Sequence, residues 1–114
     1  MEKFVKGEVL AVPFPFSDLS DFRRRPVPVI ATPEGEDIIV CQITGQKRND
    51  NYSVEITNSD FERGSLNLKT FIRPQRIFTM DKKIVIYSTG MLNKEKIRQV
   101  EEVLVHIFTG EKLF

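Results

Sequence analysis

Two strand-like runs joined by a proline-broken polar loop constrain this chain more than any other feature. Residues 7–29 read GEVLAVPFPFSDLSDFRRRPVPV. Val and Leu dominate the start, which predicts a strand over 7–14, and Pro13 and Pro15 end it because proline brings no donor to a β-ladder. The next ten residues are mostly polar but hold Phe16, Leu19 and Phe22; Ser17, Asp18, Ser20 and Asp21 are able to close side-chain turns, and Arg23, Arg24 and Arg25 stand at the far end before Pro26. A loop that delivers clustered guanidinium groups to a strand mouth can hold a phosphate. The guanidinium fork matches phosphate oxygens in pairs and stays charged at physiological pH.

The following segments read as a hairpin, with strands at 27–32 and 37–44 about a turn at Pro33-Glu34-Gly35-Glu36. Folding about that turn pairs positions whose numbers sum to about seventy, so Arg25 and Thr44 fall near the same end of adjacent strands. A polar loop, 46–51, carries Lys47 and Arg48 and leads to a short strand at 52–57. Asn58 to Glu62 reads as one capped helical turn ending at Gly64. Extended segments are expected at 65–73, 75–80 and 84–92, with Pro74-Gln75 a turn and the β-branched last run in the core. Asn93 caps a helix from Lys94 to about Phe108. Ile97, Val100, Val103, Leu104, Ile107 and Phe108 share one face, and Glu95, Gln99, Glu102 and His106 the other. Such a stripe packs on a sheet.

The 114 residues amount to one domain, 1–114, and a chain of this size buries roughly two thirds of its unfolded surface, enough to fold without disulfides or metal. A formal net charge of +1 does not announce nucleic acid, so any anion site must come from where the charges cluster: Arg23 to Arg25, Lys47 with Arg48, and Arg73 with Arg76. The lone thiol, Cys41, lies in an apolar run and is expected to be buried and inert, which suits a reducing cytosol. The N-terminus has no long apolar run of the signal-peptide kind, and no apolar stretch approaches a membrane span; a soluble, cytoplasmic protein is expected.

One histidine excludes a two-histidine ribonuclease mechanism, and His106, four residues after Glu102, is expected to form a surface ion pair. There is no Cys or His pair for zinc, no phosphate-binding glycine loop and no Gly-x-Ser-x-Gly elbow. What remains is a cation and a hydroxyl, which suits phosphate chemistry in which RNA brings its own 2′-OH nucleophile. Phe16 and Phe22 can either stack on splayed bases or pin their loop to the core.

Gly7-Glu8-Val9 leading to Val12-Pro13-Phe14-Pro15-Phe16-Ser17-Asp18-Leu19, followed by Arg24-Arg25-Pro26, resembles the opening signature of the MazF/PemK family, the ribonuclease toxins of bacterial toxin–antitoxin pairs. Ile43-Thr44-Gly45-Gln46 resembles the strand-end segment of the same family. The resemblance implies a mainly β (α+β) fold, a small SH3-like partly open β-barrel of the MazF/CcdB toxin type with a C-terminal α-helix. It implies a metal-independent, sequence-selective endoribonuclease on single-stranded RNA, with no cofactor and with Arg25 and Thr44 as the catalytic pair. Arg24, Gln46, Phe16, Phe22, Lys47 and Arg48 are the substrate-binding candidates beside them. It further implies a homodimer, to which Leu113 and Phe114 offer apolar surface, and an antitoxin partner with an acidic disordered tail. A CcdB-like gyrase-binding toxin or an inactive binding module on the same fold is the alternative. Pro28 departs from the family pattern and bears on how Arg25 is posed.

Overall fold

The computed structural model describes residues 3–13, 24–47, 49–66 and 69–111. Seven antiparallel strands form one sheet in the order β4-β6-β3-β2-β1-β7-β5. The strands are β1 (Glu8–Pro13), β2 (Arg24–Ala31), β3 (Asp37–Thr44), β4 (Val54–Ile56), β5 (Phe61–Gly64), β6 (Thr70–Asp81) and β7 (Tyr87–Leu92), and a single α-helix follows, α1 (Lys94–Thr109). The two edge strands, β4 and β5, are consecutive in sequence and joined through one 3-10 turn, Asn58–Asp60. So short a link draws the two edges of the sheet toward each other, and the sheet curls into a half-barrel.

The first turn of α1 closes the gap between those edges. Lys96 Nζ donates to the Glu55 carbonyl of β4 at 2.8 Å and lies 3.5 Å from Asp60 Oδ2, while Asn93 N donates to the Asp60 carbonyl at 2.8 Å. Asn93 caps the helix by accepting from Lys96 N, and Gly110 ends it in the left-handed conformation, where a side chain would be strained.

Strand alternation sends side chains to two cores. On the helix side Val9, Cys41, Ile43, Ile56, Ile72 and Leu92 pack with Ile97, Val100 and Leu104. On the other face Leu10, Val12, Val27, Val29, Ile38 and Val40 pack with Phe4. Each fully buried aliphatic side chain contributes about 1.5–3 kcal/mol by leaving water. Cys41 lies in the first core, and burial pushes its thiol up to about 12, so it is an inert apolar group.

The hairpin is as expected: β3 spans Asp37–Thr44, and the Val29↔Val40 and Ala31↔Ile39 pairs sum to 69 and 70. β2, however, starts at Arg24, not Val27, and runs through both prolines. The reason lies in which way the peptide groups point. Val29 O accepts from Gly7 N at 2.9 Å, so the odd-numbered residues of β2 turn their peptides toward β1. Pro26 and Pro28 are even-numbered, their nitrogens face β3, and the ladder with β1 is unbroken from Val9↔Pro28 to Pro13↔Arg24. The seam between β2 and β3 bears the loss of both donors.

Other expectations are corrected. β4 is shorter than 52–57, because only Val54–Ile56 pairs with β6. The turn after it is 3-10, capped by Thr57 rather than Asn58, with the Asp60 carboxylate accepting from Thr57 N at 2.8 Å, and Phe61–Gly64 is a strand. Pro74-Gln75 is not a turn. β6 continues through it, and the register with β3 jumps from Gln42↔Arg73 to Cys41↔Ile77, so Pro74, Gln75 and Arg76 form a bulge. The run 84–92 is not all core: Lys82–Ile84 is a 3-10 turn, and Ile84 and Ile86 are 43% exposed, since apolar periodicity alone does not say which residues find a partner. Phe108 is 69% exposed, at the end of α1 beyond the last sheet contact. His106 does not pair with Glu102; its Nδ1 lies 2.8 Å from the Glu111 carbonyl, which the chain brings back past the helix end.

Candidate active site

The arginine end of β2 and the threonine end of β3 lie at one end of the sheet. Arg25 extends the row Val29, Val27 on β2, and Thr44 extends the row Ile38, Val40, Gln42 on β3, so both side chains belong to the face of the second core. Arg25 lies four residues before Val29 and Thr44 four residues after its partner Val40, so the two stand at the same end of β2 and β3. Arg25 is exposed and Thr44 half-buried. A charge and a hydroxyl therefore lie at the end of the sheet where the apolar core ends.

The groups around them follow from the same register. Arg24 is opposite Pro13 and its guanidinium lies over the Tyr87 ring, 5.8 Å from the centroid. Thr44 pairs with Phe71, and Gln42 with Arg73, which puts Arg73 on the face of Arg25 and Thr44. Arg76, turned outward by the bulge, donates from Nε to Gln42 Oε1 at 3.1 Å. Gln46 N donates to Thr44 Oγ1 at 3.3 Å, so the hydroxyl is held by the loop that follows it, and Gln46 and Lys47 are exposed on that loop. Phe16, Phe22 and Arg48, like Leu113 and Phe114, lie outside the described residues.

The loop is anchored at its far end by a group that the sequence did not single out. Asp50 Oδ1 accepts from Tyr52 N at 3.0 Å, Oδ2 accepts from Gln75 Nε2, and Arg73 Nη2 lies 3.8 Å from Oδ2. The Tyr52 N–H first, then the Gln75 amide, the Ser53 N–H and the Arg73 charge hold the carboxyl below its ordinary range, against the opposing effect of desolvation. A depressed pKa means that this anchoring is present above the ordinary Asp value and is lost only as pH falls through the lowered one, so it holds throughout the neutral range. The signal in the sequence was Pro74 inside a long strand-like run, which marks a bulge able to re-aim Gln75 and Arg76.

Among the described residues no three His, Cys, Asp or Glu side chains are placed to hold a metal ion, and no helix is long and apolar enough to cross a membrane. The arrangement presents cations, a hydroxyl and amides on one open face, which is the chemistry of anion binding rather than of nucleophilic attack by the protein.

A curled seven-strand half-barrel with one C-terminal helix is the architecture of the MazF-type toxins. The family model for the PemK-like, MazF-like toxin of type II toxin-antitoxin systems matches residues 5–108, and the chain belongs to that family. Among solved structures, it resembles an endoribonuclease in complex with its cognate antitoxin from a mycobacterial species, with a TM-score of 0.75 at 14% identity over 94% of this chain and 96% of that one. It resembles MazF from Deinococcus radiodurans with a TM-score of 0.73 at 13% identity, over 96% and 99% of the two chains. The Mycobacterium tuberculosis toxin MazF-mt6 gives 0.70 at 16% identity, over 90% and 96%. A search of curated proteins gives no significant match.

Proposed function

We propose that this chain is the toxin of a toxin–antitoxin pair and a metal-independent, sequence-selective endoribonuclease that cuts single-stranded RNA. The observation that carries the reading is the emergence of Arg25 and Thr44 from one face at one end of neighbouring strands, in a chain of this family. In the reaction the RNA 2′-OH attacks the adjacent phosphorus, the bond from phosphorus to O5′ breaks, and O5′ gains the proton that balances the one lost by the 2′-OH. Arg25 stabilises the charge that builds on the phosphorane, and Thr44 donates its hydroxyl to a phosphate oxygen and fixes orientation. A guanidinium does not serve as the base, because it stays protonated. Arg24, Gln46, Lys47 and, from the neighbouring strand, Arg73 and Arg76 bind the RNA strand. The test is incubation of the purified protein with single-stranded RNA in excess EDTA. Fragments ending in a 2′,3′-cyclic phosphate and a 5′-OH support the reading, and intact RNA overturns it. A parallel assay with DNA gyrase detects the gyrase-poisoning alternative.

The proposed protein is a cytoplasmic homodimer. Exposed Ile86, Tyr87, Val105 and Phe108 supply apolar surface for a second copy. A stable dimer should bury about 1,200 Å² or more, and light scattering at micromolar concentration is expected to give twice the chain mass; a monomer there overturns it. Its partner is an antitoxin whose acidic disordered tail lies over the arginines. Affinity should fall with salt, and a complex as tight with Arg23, Arg24 and Arg25 all changed to Ala would show that the tail binds elsewhere.

A further inference from the structure

We propose that Asp50 is a positioning residue for RNA selection: its carboxylate ties the loop after Thr44 to the bulge in β6, the strand that pairs with the Thr44 end of β3, and fixes the amide of Gln75 in one orientation there. The inference rests on the ribonuclease reading above and assigns a determinant of its base preference.

Three observations support it. The residues on either side of position 48 are tied down, by Gln46 N on Thr44 Oγ1 and by Tyr52 N on Asp50 Oδ1, and between Asp50 and Tyr52 Asn51 adopts φ 65°, a left-handed conformation uncommon for a side-chain-bearing residue. That reversal lets Asp50 turn its second oxygen back on β6. An ionised carboxylate only accepts hydrogen bonds, so the end of the Gln75 amide facing it must be Nε2, and Oε1 must point away. Gln75 Oε1 and Arg73 Nε are then a buried acceptor and a buried donor flanking the same carboxylate, and neither has a hydrogen-bond partner among the described residues. A nucleobase edge, which carries a donor beside an acceptor, has the complementary pattern, and its entry requires the side chains covering these atoms to move aside.

Asp50→Asn separates the roles. Asn can still accept from Tyr52 N, but its amide can also donate to Gln75 Oε1, which turns the Gln75 amide over and exchanges acceptor for donor. The full-length variant and the unaltered protein are compared on a random single-stranded RNA pool, with the bases flanking each cut read from the 5′-OH ends. The expected result is a change in preferred base at one flanking position and a KM on the original motif raised about tenfold, the scale of one lost base contact, with kcat little changed. An unaltered cut profile and KM overturn the proposal. So does an equal loss on every sequence accompanied by a lower melting temperature, because that marks a purely structural brace. If Asp50→Asn does not fold, Gln75→Met, which keeps length and removes the amide, must shift the same position, and an unchanged profile is again fatal to the idea. Failure of the unaltered protein to cut any RNA removes the ribonuclease reading and this inference together, whereas an active parent with an insensitive variant removes the inference alone.

Discussion

Arg25→Ala is expected to lower the RNA cleavage rate by about 10²–10³-fold while leaving the circular dichroism spectrum and the oligomeric mass unchanged, because one preorganised charge aimed at the phosphorane is worth that much in rate. The side chain is exposed at the start of β2, so the apolar core does not depend on it. Thr44 needs a finer comparison. Thr44→Val keeps the β-branched shape but removes both the hydroxyl and the acceptor for Gln46 N, so Thr44→Ser serves as its control. A slow valine variant with an active serine one reports chemistry at the hydroxyl. Replacing the 2′-OH at the cut position by hydrogen or methoxy should stop cutting without preventing binding. Full activity of Arg25→Ala, or cleavage of the blocked RNA, would return the chain to the class of binding modules.

The largest loss of stability is expected away from the site. Leu10 is fully buried in the second core, between the strands that carry Arg25 and the closing β7. Leu10→Ala should cost about 2–5 kcal/mol through lost transfer energy and the cavity left behind. Against a total on the order of 5–15 kcal/mol for such a domain, that lowers the melting temperature by roughly 10 °C or more. Glu34→Ala, exposed in the turn between β2 and β3, is the contrast, expected to fall within about 0.5 kcal/mol of the parent. Equal urea midpoints for the two variants would contradict this division between core and surface.

The parts of the fold that were legible before any coordinates are those fixed by local signals. The β2–β3 hairpin follows from one turn between two apolar runs, and its register brought Arg25 and Thr44 to one end by counting alone. Asn93 starts α1 by chemistry that acts within four residues. What was not legible depends on partners distant in sequence. Pro74 looks like a turn unless β3 is known to pair on both sides of it, and without that bulge Gln75, Arg73 and Asp50 are three unrelated polar residues. Likewise Ile84 and Ile86 carry the same apolar signal as Leu92. Only Leu92 meets the helix-side core; the other two stay exposed because the chain has turned before β7 begins. The prolines of β2 show the converse. Their spacing of two, visible in the sequence, places both missing donors on one seam, but which seam depends on where β1 lies.

The interior place of β1 in the sheet has a consequence for the order in which the molecule is made. β1 sits between β2 and β7, so a strand made before the other six pairs with the one made after them, as in Val9↔Gly90. At ordinary elongation rates a chain of this length takes on the order of ten seconds to synthesise. During that time the Arg25 hairpin can form locally, but it has neither the closing strand nor α1 behind it. A nascent chain therefore carries the residues of the site long before it carries the support that holds them, and the complete domain arises only when the C-terminal segment emerges. Long-range pairing of this kind also slows refolding relative to helical proteins of equal size.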